Sequence, residues 1–243
     1  MRRFYLDIPS LDVADIILPP EESKHIAKVL RMNTGDKIEV INGNGEVLTA
    51  EITLAEPKNV RVKRINYKKE TPELHHIHIA IAPTKNNDRF EWFLEKATEL
   101  GIHEITPLLC ANSERKKIKI ERFQKIIVAA TKQSKRLFTP KLNDLTSFDT
   151  FVENHPNGFI AHCYEEEERN TSIFKQLEHD KSRWEKKNTP ILIGPEGDFS
   201  LNEVKKAIES GFQAVSLGKT RLRTETAGVY ACMHVKLFFE EKA

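Results

Sequence analysis

The hydrophobic positions of the chain change their period partway along it. Over 38–41 and 47–54 apolar and polar residues alternate, with Leu48, Ala50, Ile52 and Leu54 on one face, and Asn42-Gly43-Asn44-Gly45 between the two runs predicts a tight hairpin connection. The alternation resumes over 60–65, after Pro57. Ahead of these runs, Ile26, Val29 and Leu30 share helical spacing within 21–32, and Asn33-Thr34-Gly35-Asp36 ends that short helix at a turn. Strands so short and so closely spaced leave no room for crossover helices, so the first seventy residues predict a small β-barrel. Over 68–74 the pattern lapses into charge and proline, which predicts a linker and a division into domains 1–70 and 71–243.

Beyond the linker, short apolar runs at 78–82, 105–109, 158–161, 190–193 and 214–217 read as strands and alternate with helical periods. The first helix carries Phe90, Phe93, Leu94, Ala97 and Leu100 on one stripe, with Asp88 as its cap, Glu91 at the capping-box position and Gly101 past its end. A longer helix over 120–137 buries Phe123, Ile126, Ile127 and Ala130, and the charged stretch 165–188 is helical in part. Ser200, with Glu203 three residues on, opens a helix over 201–210 that Gly211 closes, and a last apolar helix covers 226–239. Strand and helix alternating in this way imply a parallel sheet with helices on both faces, an α/β domain.

Chemistry concentrates at two strand ends. Ile191-Leu192-Ile193-Gly194-Pro195-Glu196-Gly197-Asp198-Phe199-Ser200 is a buried-type strand running into a glycine-containing loop and a capped helix, the position at which open α/β sheets bind ligands. Glycine there lets backbone approach a ligand, and the helix start offers unpaired N–H groups. A single loop of this kind is usually an ordinary strand-to-helix turn. A second follows the next strand, Leu217-Gly218-Lys219-Thr220-Arg221-Leu222-Arg223-Thr224-Glu225-Thr226-Ala227, and brings Arg221 and Arg223 to a helix start. Two consecutive strands ending this way read as one composite pocket. The chain has neither G-x-x-x-x-G-K-[ST] nor G-x-G-x-x-G, which argues against P-loop phosphoryl transfer and dinucleotide binding, and no Ser/His/Asp or Cys/His set has a supporting motif.

Composition adjusts this picture in three places. With 243 residues, 39% hydrophobic and 30% charged, the chain can bury a core; no apolar run approaches the roughly 20 residues that cross a bilayer, and Asp7, Asp12 and Asp15 interrupt any signal-like start. A soluble, cytoplasmic protein is expected. Cys110, Cys163 and Cys232 show no C-x-x-C spacing, and His75, His76 and His78 lack a ligand set, so no metal is expected. The net charge is only +2, yet ten Lys/Arg stand against Glu114 and Glu121 between Ser113 and Lys141. Such a stripe is either a solvated helix face or a surface that neutralises RNA phosphates.

Taken together, these residues resemble the RsmE family of 16S rRNA uridine-N3 methyltransferases in the SPOUT superfamily. The likeness spans nearly the whole chain. It rests on Met1-Arg2-Arg3-Phe4-Tyr5, His25 to Met32 and Gly35-Asp36 in a PUA-like start; on Lys85, Asp88-Arg89-Phe90-Glu91-Trp92 and Glu95 to Gly101; on Gln133-Ser134, Arg136 and Pro140; and on the two loops above. Two positions depart from the family pattern: Asp198 stands where a glycine is usual, and Lys85-Asn86-Asn87-Asp88-Arg89 is one residue looser than Lys-Gly-Asp-Arg.

The resemblance implies a SPOUT trefoil-knotted α/β domain behind a PUA-like β-barrel, a homodimer, S-adenosyl-L-methionine as cofactor, and ribosomal RNA, within the small ribosomal subunit, as partner. It implies cofactor contacts from Leu192, Ile193, Gly194, Pro195, Glu196, Gly197, Leu217, Gly218, Leu222, Thr226 and Ala227. Arg223, with Arg221, would stabilise a uracil anion or an adjacent phosphate, and Glu225 would orient an arginine or receive the proton. Arg2, Arg3, Arg31, Lys85, Arg89, Lys132, Gln133 and Arg136 are the candidates for RNA contact. Two other readings fit the same residues, a non-catalytic RNA-binding protein on this fold and a ribose 2′-O-methyltransferase.

Overall fold

The structure, a computed structural model, describes residues 1–73, 75–164, 172–179 and 188–240. It divides into two compact units, Met1–Pro72 with Val128–Thr139, and Glu73–Ile127 with Pro140–Ala243.

The first unit is built on β1 (Arg2–Tyr5), β2 (Asp15–Ile17), β3 (Lys37–Ile41), β4 (Glu46–Glu56) and β5 (Asn59–Lys69), in the sheet order β1-β3-β4-β5-β2. β1 runs parallel to β3 and the remaining pairs are antiparallel. Ile38, Val40, Leu48, Ala50, Ile52, Val60 and Val62 supply the buried face, closed by Phe4, Leu11 and Ile26. Leu54 was expected on that face, but the register shifts between Ile52 and Leu54 and leaves it partly exposed. The short helix is α1 (Pro20–Lys24) followed by a π-helical turn, His25–Val29; the wider turn keeps Ile26 inside and leaves Val29 exposed. The loop 42–45 does more than turn the chain. Gly43 O accepts from Thr139 N (2.9 Å) and Gly45 N donates to Leu137 O (3.0 Å), so the segment after the long helix adds to this unit. Gly45 has φ +87°, and a Cβ there would lie 2.5 Å from the Phe138 ring.

The second unit is a sheet of β6 (His76–Ile81), β7 (Glu104–Leu109), β8 (Lys141–Leu142), β9 (Thr146–Ser147), β10 (Gly158–Ala161), β11 (Asn188–Ile193) and β12 (Phe212–Val215). Its order is β12-β10-β11-β6-β7-β8, with β9 also on β7, and every pairing is parallel. β11 thus lies between β6 and β10, two strands that precede it in the chain. The helices are α2 (Asn87–Leu100), α3 (Ile120–Gln133, whose end from Val128 belongs to the first unit), α4 (Phe148–Asn154), α5 (Ile173–His179), α6 (Leu201–Glu209) and α7 (Thr224–Glu240). Apolar layers cover both faces of the sheet, as parallel strands require. Ile77, Ile79, Ile81, Ile191 and Ile193 pack with Phe90, Phe93 and Ala231 on one side, and Ala80, Leu108, Ile160 and Leu192 pack with Phe148, Phe151 and Phe199 on the other.

Several boundaries differ from the sequence expectation. Asn86, not Asp88, caps α2, its side chain accepting from Asp88 N at 2.9 Å; this puts Glu91 too far into the helix to close a box, and Glu91 instead pairs with Arg122 at 2.6 Å. α3 stops at Gln133, because Lys135 takes a left-handed conformation (φ +58°) that turns the chain toward 137–139. β12 ends at Val215, which leaves Leu217 in a loop, and α7 begins at Thr224. Of the stretch 165–188, Ser172, α5 and the first residue of β11 are described, and the remainder lies outside the described residues. The box of Ser200 and Glu203 forms as its local spacing predicts.

Candidate active site

In a parallel sheet every strand delivers its carboxyl end to the same edge. β12, β10 and β11 are neighbours, so the loops that leave them meet. They enclose a cavity of about 570 Å³ within the second unit, walled by Ile193–Glu196 and Asp198, by Ala161–Cys163, and by Leu217–Thr224 with Ala227. That volume falls within the roughly 300–1,000 Å³ of small-molecule sites.

Of the expected residues, Ile193, Gly194, Pro195, Glu196, Leu217, Gly218, Arg221, Leu222, Arg223 and Ala227 line this cavity. Leu192, Gly197, Thr226 and Glu225 do not. Leu192 points into the core on the far face of the sheet, as the two-residue period of a strand demands. Gly197 turns against Asn112, where a Cβ would lie 3.3 Å from the Asn112 side chain. Glu225 is buried in the first turn of α7, with Oε1 3.8 Å from Arg89 Nε and Oε2 without a hydrogen bond. Arg221 and Arg223 are exposed at the cavity wall, and among the described residues no acid pairs with either.

The sequence reading missed the third wall. His162 and Cys163 follow β10, a strand of four residues with no loop motif after it. What holds Cys163 is Asp198. Its backbone is left-handed (φ +63°), which Asp tolerates better than most residues; Oδ2 accepts the Cys163 N–H at 2.7 Å and Oδ1 the Phe199 N–H at 2.8 Å. Tyr164 adds a bond from its hydroxyl to Phe199 O at 2.7 Å. Gly194 admits the Phe199 ring, which a Cβ would meet at 3.1 Å, whereas at Gly218 (φ +113°) a Cβ would meet nothing within 4 Å, so its backbone angle is what requires glycine there.

A second layer ties this wall to the loop after β6. The Glu196 carboxylate accepts from Lys85 N at 2.9 Å, Asn112 Nδ2 donates to Gly197 O (3.3 Å) and Asp198 O (3.1 Å), and Arg115 donates to the carbonyls of Thr84 and Lys85. The Lys85 ammonium pairs with Glu114 at 2.7 Å. Arg89 lies in α2 beside Glu225, and the remaining cationic candidates lie in the first unit. There Arg3 is held by Glu39 (2.9 Å) and by the Arg136 carbonyl, and Lys132 by Glu22 (2.7 Å), while Arg2 and Arg31 are exposed and Gln133 ends α3.

Comparison with known proteins gives two family matches along the chain. Residues 70–236 match the family described as RNA methyltransferase domain, and residues 18–63 match the RNA methyltransferase PUA domain. The chain is 30% identical over 250 residues to ribosomal RNA small subunit methyltransferase E of Buchnera aphidicola, covering 98% of this chain and 93% of the relative. It is 30% identical to the protein of that name from Bacillus subtilis, over 95% of this chain and 94% of the relative. A crystal structure of ribosomal RNA small subunit methyltransferase E from Neisseria gonorrhoeae bound to S-adenosyl methionine superposes with a TM-score of 0.81 at 27% identity, over 98% of this chain and 97% of that one.

Proposed function

Because the chain belongs to the ribosomal RNA small subunit methyltransferase E family, we propose that it methylates N3 of a uridine in 16S ribosomal RNA, with S-adenosylmethionine as cofactor. The observation that carries this reading is the meeting of three strand-end loops around one cavity, with two arginines in its wall that pair with no acid among the described residues. The cavity fits the cofactor in kind. Ile193, Leu217, Leu222 and Ala227 offer apolar surface for a purine and a methylene chain, main-chain groups of Gly194–Glu196 and Leu217–Thr220 offer hydrogen bonds, and Glu196 and Asp198 supply negative charge near a cation.

When bound, S-adenosylmethionine supplies an electrophilic methyl group. The chain's own residues must supply orientation and a nucleophile. N3 of uracil attacks poorly until its proton leaves, so a site for this reaction favours the anion. Arg223, with Arg221, stabilises that anion through a guanidinium at the cavity wall. The buried carboxylate of Glu225 beside Arg89 supports its role in orienting an arginine, and supports less well a role as proton acceptor. N3 lies on the Watson–Crick edge, so the uridine enters unpaired or flipped out of its helix.

This reading extends to the whole chain. Residues 1–70 are a PUA-like RNA-binding barrel and residues 71–243 a trefoil-knotted SPOUT domain, the knot being supported by the late β11 lying between β6 and β10. α7 presents Tyr230, Met233 and Leu237 on an exposed face, which supports a homodimer. Among the described residues no helix is long and apolar enough to cross a membrane, and ribosomal RNA as substrate supports a cytoplasmic location. The test is transfer of labelled methyl from S-adenosylmethionine to 16S rRNA, free and in the small subunit, followed by nucleoside identification. 3-Methyluridine is expected. Label on a ribose oxygen would favour the 2′-O reading, and no label in either substrate would leave an RNA-binding protein without this activity.

A further inference from the structure

Lys85, Glu114, Arg115, Lys116 and Lys117 line a second concavity, of about 420 Å³, that shares no residue with the cofactor cavity. Four cations face one acid in it, on a chain whose net charge is only +2. The site is built, and more than a run of exposed lysines. Cys110 and Ser113 close the turn after β7 through a pair of hydrogen bonds of 3.0 and 3.1 Å. From that turn Arg115 reaches the carbonyls of Thr84 and Lys85, which fixes the β6 loop against it. The β6 loop in turn donates Lys85 N–H to Glu196, and Asn112 holds Gly197 and Asp198 by their carbonyls. One set of hydrogen bonds therefore joins the floor of the basic concavity to the wall of the cofactor cavity.

We propose that this concavity binds a backbone phosphate of the RNA strand that carries the target base. The inference rests on the reading of the cofactor cavity as an RNA methyl-transfer site. Lys116 and Lys117 are exposed and pair with no acid among the described residues, so their charges are available to an anion. Lys85 is held by Glu114 at 2.7 Å, an exposed pair that a phosphate can displace. The arrangement gives a division of labour: Arg115 shapes the site through carbonyl bonds, Lys116 and Lys117 attract the strand, and Lys85 is released to it from Glu114. Because the concavity is tied to Glu196, a phosphate held there sets the distance from the strand to the methyl-transfer site.

The experiment measures binding of an oligonucleotide from the methylated region of 16S rRNA to the full chain across a series of salt concentrations, beside methyl transfer to the same RNA. Lys116→Glu/Lys117→Glu is expected to weaken RNA binding roughly 10-fold at low salt and to make the salt slope shallower by about 1, as loss of a phosphate contact requires. S-adenosylmethionine affinity by calorimetry and the thermal midpoint should stay at the wild-type value. Glu114→Gln is expected to act in the opposite direction, tightening RNA binding severalfold by freeing Lys85. The control is Lys175→Glu/Lys205→Glu, which changes net charge equally on exposed positions of α5 and α6. Equal losses in the control and in Lys116→Glu/Lys117→Glu, or weaker binding by Glu114→Gln, would overturn the phosphate site. If wild type binds the RNA but transfers no methyl, the reading of the cofactor cavity fails while the phosphate site is still decided by the slopes; if wild type binds no RNA, both fail.

Discussion

At the scale of the residue, the site separates groups that act on a ligand from groups that hold the walls. Arg223 belongs to the first kind. Removing a positioned cation that stabilises developing negative charge typically costs a factor of roughly 10²–10³ in turnover, so Arg223→Ala should lower kcat for methyl transfer by about that much with little change in thermal midpoint. Near-normal turnover would take Arg223 out of the mechanism. Asp198 belongs to the second kind, since both carboxylate oxygens are engaged by the N–H groups of Cys163 and Phe199. Asp198→Gly keeps the left-handed backbone but leaves the Cys163 amide without its acceptor. A loss on the order of 1–2 kcal/mol is expected, with faster hydrogen exchange at the Cys163 amide and weaker cofactor affinity. Unchanged exchange at that amide would mean that other bonds hold the third wall. The contrast explains what could be read in the sequence. Gly194-Pro195-Glu196-Gly197 and the Arg221 loop are contiguous and compositionally unusual, whereas the bond from Asp198 to Cys163 joins residues 35 apart whose types suggest nothing about each other.

At the scale of the element, sequence and structure agree where the determining contacts are local. Ser200 and Glu203 lie one helical turn apart and form their box as expected, and Gly101 takes the left-handed conformation (φ +89°) that ends α2. Agreement fails where two neighbours compete for one role, as Asn86 and Asp88 do at the start of α2, and where an element is too short to have a period. β8 and β9 have two residues each and exist only because β7 offers an edge. β10 has four residues and depends on close approach: a Cβ on Gly158 would lie 2.3 Å from Pro190 O and 2.7 Å from the Phe212 ring. Because the first of these contacts is backbone, β10 and β11 would have to separate. Gly158→Ala is expected to cost about 1–3 kcal/mol, read as a lower urea midpoint, and to weaken cofactor binding because β10 carries the third wall. An unchanged midpoint would show that the strand can move without cost.

At the scale of the whole molecule, the two edges of the parallel sheet do different work. The carboxyl ends of β10, β11 and β12 carry the cavity, while the amino ends of β6 and β7 carry a buried polar cluster. In that cluster His78 bonds Thr106 Oγ1 at 2.7 Å and stacks edge-on against Phe151 and His155. Burial lowers its pKa from 6.5 to about 4; the attraction of Glu104, which raises it, is outweighed, and His155, His76 and Lys141 lower it further. The unfolded chain therefore takes up a proton near pH 6.5 that the folded chain refuses until about pH 4. The stability this histidine contributes is complete above pH 6.5 and is lost progressively as the pH falls to 4, by up to about 3 kcal/mol. Urea midpoints at pH 7.5, 5.5 and 4.5 should fall across this range in wild type and fall less in His78→Gln; parallel curves would assign the acid sensitivity to other groups. Histidines at 75, 76 and 78 were visible in the sequence, but the burial of His78 was not, because it depends on α4 and on strands that arrive later in the chain. The return of Val128–Thr139 to the first unit was hidden for the same reason: a long amphipathic helix gives no sign of which unit its end will join.

The position of β11 has a consequence for the order of assembly. β6 and β10 leave the ribosome before β11 exists, yet each must keep one edge free for it. Pairing of β6 with β10 during synthesis would make a well hydrogen-bonded sheet of the wrong connectivity, closed to the strand that carries Gly194–Gly197. The productive route keeps that slot open until residues 188–193 have been made, and it joins edges more than a hundred residues apart, the kind of contact that slows folding most. A chain arrested before β11 presents two unsatisfied parallel edges, and its fate is set by aggregation and by chaperone capture. For this protein the final quarter of translation decides whether the preceding strands become a methyltransferase.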